Sequence, residues 1–283
     1  MITCLSTNLT SAQTYSSITI MSDGRVKGTE LIQREENVYT FTSDIFGIIK
    51  VEKSGIIIDG AGYALKGNGN GIDLRKESNV AIPSAQGNVE VKNVRFCDKG
   101  RIFASSNGNS FINNIFEGGG IDIKGNDGGD KGNIIKHNVF IDGRPAISAD
   151  YSGENVVAEN DFINCRIFFA LYGKLVFDRN YWSDYETLYP NAKEIEHTGI
   201  WDTPYNYDKT DWSDFPFTDN NPLVNSTNGA GAPETNEKST PVPTASIDGN
   251  EPETFPTTLL MTIGIVFIVI MSISLLVYFK KRK

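Results

Sequence analysis

Short apolar runs alternate with polar turns rich in Gly and Asn along the middle of the chain. A motif of Asn, any residue and an aromatic residue recurs at steps of 24, 22 and 20 residues, beginning at Asn114, Asn138, Asn160 and Asn180. Val94-Arg95-Phe96 occupies the equivalent position one step earlier. Self-similarity at a period of roughly 20–25 residues is typical of a solenoid, in which each repeat forms one coil.

Two further apolar runs accompany each motif. The pairs that precede it are Val89/Val91, Phe111/Ile112, Ile134/Ile135, Val156/Val157 and Leu175/Val176, and the runs that follow most motifs are 101–104, 120–123, 146–148 and 166–169. Short β-branched and aromatic runs bounded by Gly and Asn predict strands, and the L-x-x-L-x-L frame of a leucine-rich repeat is absent. We therefore predict an all-β fold, a parallel β-helix of about six to eight coils stacked about 4.8 Å apart.

The Asn of each motif is predicted to lie at a corner between two strands. There it would adopt a left-handed backbone, and its amide would bond main-chain groups at the corner or in neighbouring coils. The alternative is a row of Asn side chains that binds sugar hydroxyls. We predict that the aromatic residues Phe116, Phe140 and Phe162 stack inside the coils. Because each follows its Asn so closely, the Asn is expected to lie next to the core, which favours the structural role.

Composition restricts the classes of function. The chain has 283 residues, a formal net charge of −9 and a pI near 4.9, which argues against nucleic acid as a partner because phosphate binding needs clustered Lys and Arg. Cys97 and Cys165 fall three coils apart, too far for a disulfide between them, so each is predicted to be a single, mostly buried thiol. The two histidines, His137 and His197, have no companion at metal-ligand spacing, and we predict a coil-surface role for His137.

Residues 1–30 are polar and rich in Ser and Thr. Leu9-Thr10-Ser11-Ala12-Gln13 is similar to the end of a secretory leader, so we expect the true start to lie upstream. The alternative is a disordered cytosolic N-terminus. Asn8-Leu9-Thr10 is a glycosylation sequon, should it survive processing.

From residue 31 the repeats begin, and they resemble a known family. Asp59-Gly60-Ala61-Gly62-Tyr63, Gly71-Ile72-Asp73-Leu74 and the Asn-x-aromatic repeats are similar to NosD-like β-helix proteins of archaea, which carry carbohydrate-binding and sugar-hydrolysis repeats. Asn180–Tyr185 and Asp202–Tyr205 match the terminal cap of such proteins. The resemblance implies a right-handed, single-stranded parallel β-helix over residues 31–182 and a surface location. Ser78–Gly87 departs from the repeat spacing.

Residues 183–224 are predicted to cap the end of the β-helix. Residues 181–217 hold ten aromatic residues, and a solenoid needs a capped end to cover its last coil. We predict that Trp182, Trp201, Tyr205 and Phe215 plug that end, with a sugar-stacking platform as the alternative. The acidic residues that could bind calcium are Asp202, Asp208, Asp211 and Asp214, although they lack the regular alternation of a calcium loop. No other cofactor or metal is expected.

The C-terminal part predicts a membrane anchor. Residues 225–256 are polar and Pro-rich, as expected of a linker, and contain the sequon Asn225-Ser226-Thr227. Residues 257–279 carry no charge, and a helix of that length spans about 34 Å, enough to cross a membrane. The basic tail 280–283 would be cytoplasmic and the β-helix extracellular.

Candidate functional residues lie on the outer face of the second recurring strand. The positions predicted to point outward are Asp73, Phe103, Asp122, Ser148 and Phe168, and we take Asp73, Phe103, Asp122 and Phe168 as the candidate carbohydrate-binding residues. This suggests a non-catalytic module that binds glycan or surface-layer components. The alternative is a polysaccharide lyase or glycoside hydrolase, with Asp142, Arg144 and Asp150 as candidate groups. Asp73 and Asp122 would lie roughly 10 Å apart, just beyond the carboxylate spacing of inverting glycosidases. Copper delivery would need His, Met or Cys clusters that the sequence lacks.

Overall fold

A computed structural model describes residues 15–75, 87–105, 108–124, 132–150, 153–169, 174–207 and 217–227, all within a unit formed by residues 1–234. These residues form short strands and one helical turn: β1 (Ser16–Ile20), β2 (Val26–Lys27), β3 (Ile32–Glu35), β4 (Val38–Phe41), β5 (Ile45–Val51), β6 (Ile57–Asp59), β7 (Ala64–Lys66), β8 (Ile72–Leu74), β9 (Glu90–Lys92), β10 (Arg95–Cys97), β11 (Arg101–Ala104), β12 (Ser110–Ile112), β13 (Ile115–Glu117), β14 (Gly120–Lys124), β15 (Ile134–Lys136), β16 (Val139–Ile141), β17 (Ile147–Asp150), β18 (Glu154–Ala158), β19 (Asp161–Ile163), β20 (Ile167–Phe169), β21 (Lys174–Asp178), β22 (Tyr181–Trp182), α1 (Tyr185–Leu188), β23 (Tyr205–Tyr207) and β24 (Phe217–Asp219).

The strands stack into three parallel sheets. Sheet A runs through β5, β8, β11, β14, β17 and β20, sheet B through β4, β6, β9, β12, β15, β18 and β21, and sheet C through β5, β7, β10, β13, β16, β19 and β22. Each coil gives one strand to each sheet, so the chain is a parallel β-solenoid, as the repeat predicted. Among the described residues, five coils from β6–β8 to β18–β20 are complete, fewer than the six to eight expected, and partial coils lie at both ends.

A column of aromatic rings runs through the core. Phe96, Phe116, Phe140, Phe162 and Trp182 stack with ring centroids 4.6, 4.9, 5.1 and 4.5 Å apart, and all five are buried. The prediction that the aromatic residue of each motif points inward is therefore confirmed. The rings align because equivalent residues in neighbouring parallel strands lie directly above one another.

The Asn of each motif forms a buried ladder, which we call the motif ladder. Asn114, Asn138, Asn160 and Asn180 are all fully buried. The side-chain oxygen of each of the last three accepts hydrogen bonds from the backbone N–H and the amide of the Asn one coil earlier, at 2.9–3.1 Å. The structural role predicted for these amides is confirmed, and the alternative of a sugar-binding row is wrong because the amides do not reach the surface.

The left-handed corner residue is the one before each ladder Asn, which corrects our prediction. Positive φ angles of 53–57° occur at Asn93, Asn113, His137, Glu159 and Arg179. The turn is made at this position, which leaves the next residue free to aim its amide into the corner. His137 takes this place with its side chain 45% exposed and its Nε2 3.2 Å from Glu159 Oε2, so the predicted coil-surface role is confirmed.

A second ladder of asparagines lies at the start of sheet B strands. Asn109, Asn133 and Asn155 are buried, and Asn109 donates its amide to Asn133 at 3.0 Å as Asn133 does to Asn155 at 2.9 Å. The sequence signal for this ladder is an Asn one or two residues before the apolar pairs that begin at Phe111, Ile134 and Val156.

The N-terminal end of the solenoid starts earlier than predicted. Strand β1 lies parallel to β5 and antiparallel to β2, and β3 pairs antiparallel with β4. Residues 15–30, which we assigned to a leader or a disordered terminus, are therefore part of the fold, because β1 supplies sheet A with its first strand. Gly47 of β5 has a φ of 151°, and a Cβ atom there would lie 2.0 Å from the Ser16 oxygen of β1, so this pairing requires glycine.

The C-terminal end is closed by aromatic side chains. Tyr205 stacks on Trp182 with the centroids 4.3 Å apart, and Phe217 stacks on Phe177 at 4.1 Å. Trp182 and Tyr205 are buried and Trp201 packs against the core, so the predicted plug is confirmed for these three. Phe215 lies outside the described residues.

The described cysteines differ from each other. Cys97 is disulfide-bonded, which corrects our prediction of a single thiol and shows that a partner was available that the coil spacing did not reveal. Cys165 is a free thiol, as predicted. Burial raises its pKa to about 12.

No helix in the described part of the chain is long and apolar enough to cross a membrane. The predicted anchor, residues 257–279, lies outside that part, as does the interruption at Ser78–Gly87 except for Gly87 itself.

Candidate functional site

Three of the candidate residues, Asp73, Phe103 and Asp122, form one row on the outer face of sheet A. The strand register continues this row to Phe168, whose side chain lies outside what the structure describes. The strand register pairs Asp73 with Phe103, Phe103 with Asp122, Asp122 with Ser148 and Ser148 with Phe168. Within each strand their neighbours on both sides are buried, so Asp73, Phe103 and Asp122 point outward as the alternation predicted. Parallel strands in register bring these three residues together from sequence positions 49 residues apart.

Asp73 is held by Arg75 on the same face of the chain. Arg75 donates from Nε to Asp73 Oδ1 at 2.9 Å and from Nη2 to Oδ2 at 2.7 Å, and its backbone N–H also donates to Oδ1 at 2.9 Å. The Arg75 side chain is 47% exposed. Its guanidinium carbon lies 4.5 Å from the centre of the Phe103 ring, a distance typical of a cation–π contact.

Asp122 is held by Arg101 from the preceding coil. The guanidinium donates from Nε at 2.7 Å and from Nη2 at 2.8 Å to the two carboxylate oxygens, and from Nη1 to the Pro145 carbonyl at 3.0 Å. Such bidentate pairs fix the carboxylate in one orientation. Phe103 thus stands between two arginine–aspartate pairs, and we call these five residues the sheet A site.

The hydrogen bonds from Arg75 affect the chemistry of the Asp73 carboxylate. Burial raises the pKa of Asp73, but the hydrogen bonds from Arg75 outweigh this effect and hold the pKa below the ordinary value for aspartate. A glycosidase acid needs the opposite shift so that it holds a proton near neutral pH. Asp73 is therefore suited to accept hydrogen bonds from a ligand and unsuited to give it a proton.

Two of the three residues considered for a lyase, Asp142 and Arg144, lie at the corner after strand β16 of sheet C. Asn164 connects two of them, since its amide donates to the Asp142 carboxylate and its oxygen accepts from Arg144 Nη2 at 3.3 Å. Asp142 and Arg144 are exposed. Asp150 lies at the end of β17 on sheet A, and one of its carboxylate oxygens is buried without a hydrogen-bond partner. The structure brings Asp142 and Arg144 together but does not join Asp150 to them by a hydrogen bond or ion pair.

The predicted calcium ligands are only partly described. Asp202 uses Oδ1 to accept from the Lys193 N–H at 3.0 Å and the Thr203 hydroxyl at 2.9 Å, as a turn residue does. Asp208, Asp211 and Asp214 lie outside the described residues. Within the part of the chain that the structure covers, no group of three or more His, Cys, Asp or Glu could hold a metal ion.

The structure describes one of the two predicted glycosylation sequons. Asn225 is exposed, as a glycan acceptor must be. Its neighbours Ser226 and Thr227 are hydrogen-bonded to Asp161 on β19, so the folded part of the chain continues three residues into the segment that we assigned to the linker. Asn8 lies outside the described residues.

Comparison of the chain with models of known protein families, with curated proteins and with solved structures finds no match in any of the three.

Proposed function

We propose that this chain is a membrane-anchored extracellular β-solenoid module that binds a glycan or another cell-envelope component through the sheet A site, without catalysis. The observation that carries the proposal is the position of Phe103 between the Asp73–Arg75 and Asp122–Arg101 pairs. This site combines an aromatic ring, a half-exposed guanidinium and carboxylate oxygens on the outer face of sheet A. Sugars present both apolar faces and hydroxyl groups, and this combination of side chains suits both.

Three features support the location. Residues 257–279 form an uncharged run that basic residues follow, the pattern of a single span with a cytoplasmic tail. The disulfide at Cys97 is typical of proteins outside the reducing cytosol. The motifs similar to NosD-like proteins favour a surface location as well, and the parallel solenoid agrees with that resemblance at the level of the fold.

A polysaccharide lyase is the second candidate, favoured by the contact of Asp142 and Arg144 with the same Asn164 side chain. A lyase needs an acidic residue near an Arg or Lys that takes the proton, and the shared contact with Asn164 holds Asp142 and Arg144 near each other. The two candidates differ in a simple assay. A lyase releases unsaturated oligosaccharides that D142N would abolish, whereas a binding module releases none.

A glycan array with the full-length protein in detergent tests the proposed binding. We expect R75A and F103A to weaken binding of any captured glycan by about tenfold, since each removes roughly one good contact. K136A, on the outer face of sheet B, is the control and should bind like the wild type. Equal binding by all variants would place the ligand elsewhere, and capture of no envelope glycan would refute glycan binding by the sheet A site.

A further inference from the structure

The chain folds back onto the solenoid after its last strand. Leu223 N–H donates to the Asn180 carbonyl at 3.0 Å, and Val224 N–H donates to the Gly199 carbonyl at 2.9 Å. Two residues later the chain reaches Asp161 on β19, one coil before the level of Asn180 and β22. Residues 223–227 thus run back along sheet C.

Asp161 holds the end of this segment. The Ser226 hydroxyl donates to Asp161 Oδ2 at 2.6 Å, and the Thr227 N–H donates to Oδ1 at 3.1 Å. The Thr227 hydroxyl lies 3.3 Å from the Glu159 carbonyl and 3.4 Å from Asp161 Oδ1. Asp161 is 1% exposed, and a buried carboxylate is stable only when donors surround it. Docking of residues 226 and 227 and burial of Asp161 therefore depend on each other.

The docked residues are the second and third positions of the Asn225-Ser226-Thr227 sequon. A glycosylating enzyme recognises the hydroxyl of the third residue, and in the docked segment that hydroxyl already bonds the solenoid. We propose that Asp161 is a latch that closes the Asn225 sequon in the folded protein, so that glycan is added only before residues 225–227 dock. The biological setting of this latch rests on the proposed extracellular location.

The chemistry of the transfer is compatible with later docking. The donor is a lipid-linked oligosaccharide. Asn225 Nδ2 loses a proton and bonds the anomeric carbon of the sugar, while the bond from that carbon to the lipid-phosphate oxygen breaks and the lipid phosphate leaves. Because the Asn225 side chain is exposed in the docked segment, an attached glycan would project into solvent and the hydrogen bonds to Asp161 could still form.

An acceptor assay in vitro tests the latch. Full-length protein from a host without N-glycosylation, held in detergent, is incubated with a purified oligosaccharyltransferase and its lipid-linked oligosaccharide. Occupancy of Asn225 is measured by peptide mass spectrometry, beside a synthetic peptide of residues 221–231. We expect the wild type to react at least about tenfold more slowly than the peptide. D161A should approach the peptide rate, and E154A, which removes an exposed carboxylate on sheet B, should react like the wild type.

S226A keeps the sequon but removes the 2.6 Å bond to Asp161, so it covers the case in which D161A unfolds. We expect it to raise the rate above that of the wild type while tryptophan fluorescence stays native. The latch is overturned if the wild type reacts as fast as the peptide, or if S226A and D161A both stay at the wild-type rate. Neither result depends on cell location or on glycan binding, so failure here is distinct from failure of the proposed function.

Discussion

Replacing Asn138 by alanine tests whether the motif ladder stabilises the solenoid. The change removes Asn138 Oδ1, which accepts hydrogen bonds from the backbone N–H of Asn114 at 2.9 Å and from the Asn114 side-chain amide at 3.1 Å. It also removes the amide that donates to the Phe111 carbonyl at 2.8 Å and to Asn160 at 3.0 Å. A buried polar group without a partner costs about 1–3 kcal/mol. Since several groups are affected and some will relax, we expect the free energy of unfolding to fall by about 3–5 kcal/mol.

Urea unfolding followed by tryptophan fluorescence measures this loss. N138D is the informative second variant, because it keeps the acceptor for Asn114 but turns a carboxylate oxygen toward the Phe111 carbonyl and Asn160. We expect N138D to be at least as destabilised as N138A. The control is N37A, an exposed Asn in the β3–β4 hairpin, which should stay within about 0.5 kcal/mol of the wild type. A loss for N138A no larger than that for N37A would refute the ladder as a source of stability.

Three further predictions follow from the same structure. F140A should lower the free energy of unfolding by about 3–5 kcal/mol because it opens a cavity in the aromatic column. S148A, on the outer face of sheet A, should change this free energy by no more than about 0.5 kcal/mol. The reverse order in a urea titration would mean that the buried and exposed faces are exchanged. Because burial raises the pKa of Cys165 to about 12, its thiol is neutral at pH 8 and should react slowly with iodoacetamide until the protein is unfolded, whereas Cys97 should react only after reduction. Protease added to intact cells should release a soluble fragment ending between residues 228 and 256, and protection of the solenoid until the membrane is broken would show that its predicted location is wrong.

The coil register could be predicted from the sequence because the ladder Asn and the aromatic residue are both buried. Each buried position restricts the residue type, so an Asn and an aromatic residue recur in the four repeats that begin at Asn114, Asn138, Asn160 and Asn180. The left-handed corner could not be located in this way. The residues that occupy it include Asn113, His137 and Glu159. They differ in size and charge because the corner constrains the backbone and not the type of side chain.

The sequence predicted which residues of the sheet A site lie side by side, but it did not predict the arginine partners of the two aspartates. Alternation along three short strands places Asp73, Phe103 and Asp122 outward, and the repeat spacing places them side by side. The arginine partners need more information. Arg75 lies two residues after Asp73 and could have been inferred from the same alternation, whereas Arg101 reaches Asp122 from the neighbouring coil, which depends on the strand register. The disulfide at Cys97 escaped prediction because cysteine pairing cannot be deduced from sequence spacing.

The motif ladder has a direction, and this explains its ending in a carboxylate. Asn114, Asn138 and Asn160 each donate N–H groups to the side-chain oxygen of the Asn in the next coil. An inner coil can therefore be followed by another coil of the same kind. Asn180 lies on the last coil, and its backbone N–H and side-chain amide still need an acceptor. An Asn as that acceptor would have N–H groups of its own to donate, which would need yet another coil. Asp219 accepts both through Oδ2, at 2.9 and 3.0 Å, together with Trp182 Nε1 at 3.2 Å. Its Oδ1 accepts the N–H groups of Arg179 at 3.1 Å and Asn221 at 3.2 Å.

A carboxylate suits this place because it accepts hydrogen bonds without having one to donate. Burial raises the pKa of Asp219, and the hydrogen bonds from Asn180 and Trp182 oppose that shift. Asp219 accepts hydrogen bonds from five N–H groups. If the segment around Asp219 left the last coil, these donors would lose their acceptor and the end of the motif ladder would be exposed. Four residues later Leu223 bonds the Asn180 carbonyl, and the chain then reaches Asp161. The same contacts that end the solenoid therefore direct the chain to sheet C and close the Asn225 sequon.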